Sequence, residues 1–265
     1  MSIDNKITAL ITGFSSVNGA IYADRLASRG YNLILFVRNS DKLHDLATRL
    51  TDETGQSIEI LTADLTEQSD LARIEKVVRT DASITLLLNN AGVGAAPTLL
   101  AADSDKIQAM IALNVVAVTR LVCAAVPGFL ARGTGMIINI ASILAIAPEL
   151  WDGVYGASKA FVLTLSRSLH HEFAGKGIRI QAVLPGAVAT EFWEIAGTSL
   201  EDLPEGIVMS ADDLVDVALA GLDQGELITI PSLPNPSDWA AYETARRALA
   251  PNLSRASAAQ RFEIG

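Results

Sequence analysis

Tyr155 and Lys159 lie four residues apart at the start of an apolar, helix-like segment. Residues at this spacing share one face of a helix, so the phenol and the ammonium should point into the same space. A nearby ammonium favours the phenolate, and lowering a tyrosine pKa from ~10 to ~7 takes about 4 kcal/mol. Such a phenol can donate and accept protons at neutral pH. The hydroxyl of Ser142, thirteen residues earlier, could hold a substrate carbonyl or alcohol beside it.

A glycine-containing segment, Thr12 to Gly19, joins the first strand-like run to the first helix-like run. Glycines here permit a tight turn and a close approach of backbone to a diphosphate, which the N–H groups and dipole of the helix N-terminus favour. Taken alone, the two glycines could merely turn a strand into a helix. The remaining motifs favour cofactor binding.

Three further motifs follow in order. Asn89-Asn90-Ala91-Gly92 follows a buried-strand pattern, Asn114 lies in the next helix-like run, and Pro185-Gly186 with Thr190 follows a later strand. A lone Tyr-x-x-x-Lys is common by chance, whereas five motifs in this order and spacing are specific. Together they resemble the short-chain dehydrogenase/reductase family over about residues 7–230.

The resemblance implies a role for each of four residues. Tyr155 is the acid/base, Lys159 lowers its pKa and holds the nicotinamide ribose, and Ser142 positions the substrate oxygen. Asn114 holds a water in the proton path. The implied cofactor-binding set is Gly13, Ser15, Ser16, Gly19, Arg38, Asp64, Asn90, Ala91, Gly92, Tyr155, Lys159, Pro185, Gly186 and Thr190.

Cofactor choice depends on the end of the second strand, Val37-Arg38-Asn39-Ser40. A carboxylate there would bind the adenosine ribose and favour NAD, but none is present. Arg38 is placed to pair with a 2′-phosphate, which predicts NADP(H), with NAD(H) possible; the alternative is a solvated loop charge. Asp64 matches the family's adenine-contacting aspartate, or is an acid near a helix N-cap. Val17 departs from the family's Thr-Gly-x-x-x-Gly-x-Gly pattern, at its middle glycine.

Short apolar runs alternate with helix-like runs along the chain, which predicts an α/β fold. We expect a Rossmann-type doubly wound parallel sheet of about seven strands, with helices on both faces, because strands without polar alternation are covered on both sides. Residues 1–265 are predicted to form a single domain, with a substrate lid at about 191–209 and a C-terminal tail at about 231–265. The tail is predicted to contain a helix at about 237–249.

Composition narrows the class of protein. A formal charge of −10 argues against nucleic acid or an anionic membrane as a partner. The polar first residues, the absence of an apolar run near ~20 residues and the single cysteine favour a cytoplasmic protein. Cys123 is expected to be a buried, inert thiol. The three histidines have no metal-ligand spacing, so no metal site is predicted.

The residues near Tyr155 that could form a substrate wall are mostly apolar, which suggests a bulky, weakly polar substrate. They are Val93, Gly94, Pro97, Ile143, Leu144, Ala145, Leu150, Trp151, Phe192 and Trp193. The main prediction is an NADP-dependent carbonyl reductase or alcohol dehydrogenase, assembled as a homodimer or homotetramer. One alternative is a non-catalytic NADP-sensing protein, and a second is a hydrolase using Ser158, within an imperfect Gly-x-Ser-x-Gly segment.

Overall fold

The computed structural model describes residues 7–38, 44–94, 103–151, 153–195 and 199–262. The strands are β1 (Thr8–Thr12), β2 (Asn32–Val37), β3 (Ile58–Thr62), β4 (Ile84–Asn89), β5 (Gly135–Ile140), β6 (Ile178–Val183), β7 (Ala187–Val188), β8 (Val208–Met209) and β9 (Ile228–Thr229). The α-helices are α1 (Val17–Ser28), α2 (His44–Thr54), α3 (Gln68–Thr80), α4 (Ser104–Ile111), α5 (Val118–Arg132), α6 (Gly153–Glu172), α7 (Phe192–Ile195), α8 (Ala211–Asp223) and α9 (Pro236–Ala248).

Seven strands form one parallel sheet in the order β3-β2-β1-β4-β5-β6-β9. The chain winds outward from β1 to β3 and then returns to place β4 on the other side of β1. This reversal opens a crevice beyond the carboxyl ends of β1 and β4, where ligands bind in sheets of this kind. The predicted doubly wound sheet of about seven strands is confirmed.

Both faces of the sheet are buried under helices. In β1, Ala9 and Ile11 pack into a cluster with α1 and α8, while Leu10 packs on the opposite face with α3 and α5. Every residue of β1 is buried. The lack of polar alternation that the sequence shows is therefore explained by a sheet with two covered faces.

Local hydrogen bonds and glycine conformation set the ends of the helices. The first helix begins at Val17, because Ser16 Oγ caps it by accepting from the backbone N–H of Gly19 at 3.1 Å. The helix α5 continues through Pro127 to Arg132. It ends at Gly133, whose φ of 67° suits glycine.

The helical segment Ser104–Arg132 corrects two expectations. It is 29 residues long and apolar enough to cross a membrane by length and composition, so the expectation of no such run is wrong. Half of its most apolar window is buried, and Leu121, Val122 and Phe129 pack into the core beneath the sheet, as in any core helix. Cys123 is exposed on the other face, so the prediction of a buried thiol is also wrong.

The segment after β6 contains pairing that periodicity did not reveal. β7 and β8 form a small parallel sheet of their own, and α7 lies between these two strands in the sequence. Residues 196–198 of the predicted lid lie outside the described residues.

The chain divides into two compact units, Met1–Pro231 and Ser232–Gly265. The second unit contains α9, whose bounds differ by one residue at each end from the helix predicted at about 237–249. In α9 the rings of Trp239 and Tyr242 are stacked, with 5.0 Å between their centroids.

Candidate active site

A cavity of about 450 Å³ lies at the carboxyl ends of the central strands. Segments that follow β1, β2, β3, β4, β5 and β6 all line it, because parallel strands direct their carboxyl ends to one edge of the sheet. Its predicted site residues are Gly13, Ser15, Ser16, Arg38, Asp64, Asn90, Ala91, Gly92, Ser142, Tyr155, Lys159, Pro185 and Thr190. The volume is within the range of small-molecule sites.

Tyr155 and Lys159 occupy the first turns of α6 and face the cavity together, as their spacing predicts. The Lys159 Nζ lies 5.6 Å from the centroid of the Tyr155 ring and donates to the carbonyl of Ile140 at 2.8 Å. Both side chains are largely buried, with 9% of Tyr155 and 4% of Lys159 exposed. Burial lowers the pKa of Lys159 from 10.5 to about 8, so the ammonium remains mostly protonated at pH 7.

We expect Lys159→Met to flatten the alkaline part of the pH–stability curve of the cofactor-free protein. Between pH 8 and 10.5, the unfolded chain holds a proton on Lys159 that the folded chain has lost. Folding stability should therefore rise over this window, by about 3 kcal/mol, in the wild type and not in the variant. Urea unfolding of both proteins at pH 7 and pH 10 measures the difference. Parallel pH dependences would contradict the lowered pKa.

Ser142 lies at the end of β5 and caps a short 3₁₀ turn, Ile143–Ala145. Its Oγ accepts from the backbone N–H of Leu144 at 3.2 Å, which leaves its hydroxyl hydrogen able to donate into the cavity. The next residue, Ile143, donates its N–H to the Pro185 carbonyl at 2.9 Å. This bond ties the serine segment to the loop after β6.

Asn114 lies in a π-helical segment, Ala112–Ala117, between α4 and α5. Such segments are rare and frequently found at functional sites. Its side-chain amide accepts from Val93 N–H at 3.1 Å and donates to the Val93 carbonyl at 2.9 Å and to Ser158 Oγ at 3.1 Å. Ser158 Oγ in turn donates to the Tyr155 carbonyl at 2.7 Å. Asn114 therefore joins the loop after β4 to the helix that carries the tyrosine.

The phosphate loop is held by the side chain of Asn90, whose Nδ2 donates to the carbonyls of Thr12 and Gly13 and to Ser16 Oγ. Gly13 has a φ of +70°, and a Cβ there would lie 2.7 Å from the Ala91 Cα. A Cβ on Gly19 would collide with the Gly13 carbonyl oxygen. The loop thus keeps its backbone exposed to the cavity beside the N-terminus of α1, an arrangement that fits a diphosphate.

Val17, at the middle glycine position, is the first residue of α1 and lines the cavity with 39% of its surface exposed. We expect Val17→Gly to tighten NADPH binding by up to about tenfold, because a Cβ at this position holds a diphosphate away from the helix N-terminus. The cost of glycine is small at a first turn. Calorimetric titration of both proteins measures the change. Equal or weaker binding by the variant would mean that the loop accommodates valine without strain.

The opposite end of the cavity is formed by the turns after β2 and β3. Arg38 is exposed there, next to Val37. Asp64 accepts from the backbone N–H and the hydroxyl of Thr66 at 2.8 and 2.7 Å. Its carboxylate thus closes a turn before α3, whose N-cap is Glu67, so Asp64 is not itself the cap.

Aromatic rings surround Tyr155 on the substrate side. The ring centroid of Tyr155 lies 6.0 Å from Trp151 and 5.5 Å from Phe192, and Trp151 lies 5.4 Å from Trp193. A Cβ on Gly94 would approach the Phe192 ring to 2.9 Å, so glycine makes room for this wall. Leu144 and Val93 pack in the same cluster. Pro97, also predicted for the wall, lies outside the described residues.

The structure adds cavity residues that sequence reasoning missed, and it leaves some predicted ones aside. Those added include Asn18, Phe36, Leu65, Thr66, Ala109, Leu113, Ile140 and Val188. Gly19, Asn114 and Gly186 do not line the cavity, and Gly19 and Asn114 instead hold the segments behind it through their hydrogen bonds. Asn18 lies between Val17 and Gly19 in the phosphate loop, and this position in the sequence could have predicted that it lines the cavity.

The described residues support neither hydrolysis by Ser158 nor a metal centre. Ser158 is buried, and its hydroxyl is engaged with Asn114 and the Tyr155 carbonyl, so it cannot act as a hydrolase nucleophile in this arrangement. Across the described ranges, no group of three or more His, Cys, Asp or Glu side chains could hold a metal ion.

Residues 7–199 match the family model for short chain dehydrogenase. A short-chain dehydrogenase from Sphingobium yanoikuyae, solved in complex with NADPH, is 47% identical, with a TM-score of 0.93 over 96% of this chain and 99% of that one. The bulky-bulky ketone specific alcohol dehydrogenase from Comamonas testosteroni is 43% identical, with a TM-score of 0.89 over 98% and 99%. A very-long-chain 3-oxoacyl-CoA reductase from Anas platyrhynchos is 35% identical over 77% of this chain and 67% of its own length.

Proposed function

This chain belongs to the short chain dehydrogenase family, and we propose that it reduces bulky, weakly polar ketones with NADPH and oxidises the corresponding alcohols. Its class is that of an NAD(P)-dependent oxidoreductase acting on alcohol and ketone groups. The observation that carries the proposal is the placement of Ser142, Tyr155 and Lys159 in one cavity with the N-terminus of α1.

The residues of this cavity supply geometry and a proton. NADPH, when bound, supplies the hydride. The Ser142 hydroxyl donates a hydrogen bond to the carbonyl oxygen of the ketone, and the Tyr155 phenol donates its proton to the same oxygen. Lys159 keeps a positive charge beside the phenol, which stabilises the phenolate left behind. Asn114 fixes α6 through Ser158 and thereby positions the tyrosine.

Two features support NADPH over NADH. Arg38 stands at the end of β2, where a carboxylate would bind the ribose of NAD, and its guanidinium suits a 2′-phosphate. The similar enzyme from Sphingobium yanoikuyae was solved with NADPH. We place the adenosine half of the cofactor beside Arg38 and Asp64, and the nicotinamide half beside Lys159, Pro185 and Thr190.

The aromatic wall supports a bulky substrate. Trp151 and Phe192 offer ring faces and edges close to Tyr155, Trp193 packs against both of them, and such rings bind large apolar groups well. Phe192 and Trp193 belong to the segment 191–209, which we propose as a substrate lid. The similar enzyme from Comamonas testosteroni is specific for bulky-bulky ketones.

Absorbance of the reduced cofactor, followed with ketones graded in size, tests the proposal. We expect a ketone with two large substituents to be reduced with NADPH at a kcat/KM at least about tenfold higher than acetone, because more apolar area is buried. Heat-denatured protein is the control. Binding of NADPH without its oxidation by any ketone, together with no reduction of NADP+ by any alcohol, would favour the NADP-sensing alternative.

Assembly and location remain predictions. We propose a homodimer or homotetramer built on the two long helical segments near residues 105–125 and 154–173. The exposed apolar residues Val116, in the π-helical segment before α5, and Phe161, on α6, support it, and light scattering of the purified protein tests it. A cytoplasmic location, without nucleic acid or membrane as partner, rests on the acidic composition and the single cysteine.

A further inference from the structure

A row of buried polar side chains lies behind the cavity. Asn89, at the end of β4, donates through Nδ2 to Asn139 Oδ1 at 2.8 Å, and Asn139 Nδ2 donates to Ser166 Oγ on α6 at 2.9 Å. Ser166 in turn donates to the Val162 carbonyl at 2.8 Å. Asn139 and Ser166 are fully buried, and none of the three polar residues lines the cavity. The row can therefore act on a bound ligand only through residues that it holds in place.

Stability does not by itself account for this row. A buried hydrogen bond between neutral side chains replaces hydrogen bonds to water, so its net contribution to folding is small, and apolar groups of the same shape can be equally stable. In addition, Asn89 Oδ1 is buried without a hydrogen-bond partner, which is unfavourable. Directional bonds supply something that apolar packing does not, which is one fixed arrangement of the elements that they join.

The element whose placement depends on the row is α6. The strands β4 and β5 are already held by backbone pairing, with Asn89 opposite Asn139. By contrast, α6 packs on the sheet through apolar side chains such as Val162 and Leu163, whose contacts have no preferred direction. The hydrogen bond between Asn139 and Ser166 therefore limits how far α6 can slide or turn on β5.

The same two elements meet again at the cavity. Lys159 lies seven residues before Ser166 on the same face of α6, ~10 Å along the helix axis. Its Nζ donates to the carbonyl of Ile140 at 2.8 Å, and Ile140 directly follows Asn139 in β5. A shift of α6 along β5 would strain or break this bond, so the buried bond behind the cavity and the bond at its edge support each other.

We propose that Asn139 and Ser166 are positioning residues, which hold α6 at one place on β5. Tyr155 comes from the start of α6 and Ser142 from the segment after β5, and both must reach the same oxygen of the substrate. The contact between the two elements sets the distance between these hydroxyl groups, and the buried row fixes that contact. The inference rests on the proposed function, since it assumes that Tyr155 transfers the proton.

Ser166→Ala and Asn139→Leu each break the bond between α6 and β5. In either variant we expect kcat for ketone reduction to fall by about threefold to tenfold, because misplaced reacting groups slow the chemical step. NADPH affinity should stay within about twofold. The double variant should lose no more than the larger single loss, since both changes remove one hydrogen bond. Steady-state kinetics and calorimetric titration give these values.

Crystal structures of the cofactor-free proteins provide a measurement that does not depend on activity. We expect both single variants to show α6 shifted on β5, with the Lys159 ammonium beyond hydrogen-bond distance of the Ile140 carbonyl. A row that only stabilised the fold would leave this contact as it is in the wild type.

Gln181→Met is the matched control. Gln181 is also a fully buried amide in the sheet, and its Nε2 donates to the Ala218 carbonyl of α8 at 2.7 Å and to Thr229 Oγ1 at 2.9 Å. Its replacement removes a buried hydrogen bond and should lower the unfolding temperature, as Ser166→Ala should. Because this bond holds a different helix, kcat and the position of Lys159 should match the wild type.

Three results would overturn the positioning role. They are an unchanged kcat in both single variants, crystal structures of both in which α6 and Lys159 keep their wild-type positions, and an equal loss of kcat in Gln181→Met. If the wild type reduced no ketone with NADPH and oxidised no alcohol with NADP+, the proposed function would fail instead, and the crystal structures would still test the placement of α6.

Discussion

Replacing Tyr155 with phenylalanine is expected to lower kcat for ketone reduction by about 100-fold or more, while NADPH affinity stays within about twofold. The variant keeps the ring that packs against Trp151 and Phe192, so the aromatic wall should survive. It loses only the proton that the carbonyl oxygen needs. Steady-state kinetics with a bulky ketone and calorimetric titration with NADPH give the two values.

Tyr22→Phe is a suitable control, because it removes a hydroxyl from a buried tyrosine outside the cavity. We expect its kcat to match the wild type. If Tyr155→Phe retained full activity, the tyrosine would have no place in the mechanism. If it lost NADPH binding as well as turnover, the change would reflect a damaged site rather than a missing proton.

Replacing Arg38 with alanine should weaken NADPH by about fivefold to 150-fold, which corresponds to the 1–3 kcal/mol of a charge-assisted contact. NADH lacks the 2′-phosphate, so its affinity should change little. The discrimination between the two cofactors should therefore fall by the same factor. Titrations of wild type and variant with both nucleotides at one fixed ionic strength measure it, because screening weakens such contacts.

Arg49→Ala is the matched control for charge. Arg49 lies on the exposed surface of α2, where it pairs with Glu53 at 2.9 Å, and it does not line the cavity. Its loss makes this acidic protein more negative by the same amount and should leave NADPH affinity nearly unchanged. Equal losses for NADPH and NADH in Arg38→Ala would contradict a contact with the 2′-phosphate.

Side-chain spacing within one element is the part of the site that sequence alone determined. Tyr155 and Lys159 share a face because helix geometry fixes residues four apart, whatever packs around them. The resemblance to the family assigned Gly13 and Asn90 to one cofactor site, and the parallel sheet accounts for it, because the carboxyl ends of its strands lie at one edge. The first inference uses local geometry, and the second uses the order and spacing of motifs.

Tertiary structure decided which polar groups are paired and which faces are covered. Asn114 clamps Val93 and Ser158, residues 21 and 44 positions away. The periodicity of apolar residues in the sequence could not reveal these hydrogen bonds, because they form only where separate segments of the chain meet.

Burial of individual groups also had to be observed. The apolar surroundings of Cys123 in the chain suggested a buried thiol, yet its face of α5 is exposed. Asn18 looked like an ordinary residue of a phosphate loop, and only the packed cavity shows that its oxygen is buried without a donor. Spacing along a chain fixes direction within one element, but pairing and burial depend on what the rest of the fold brings against it.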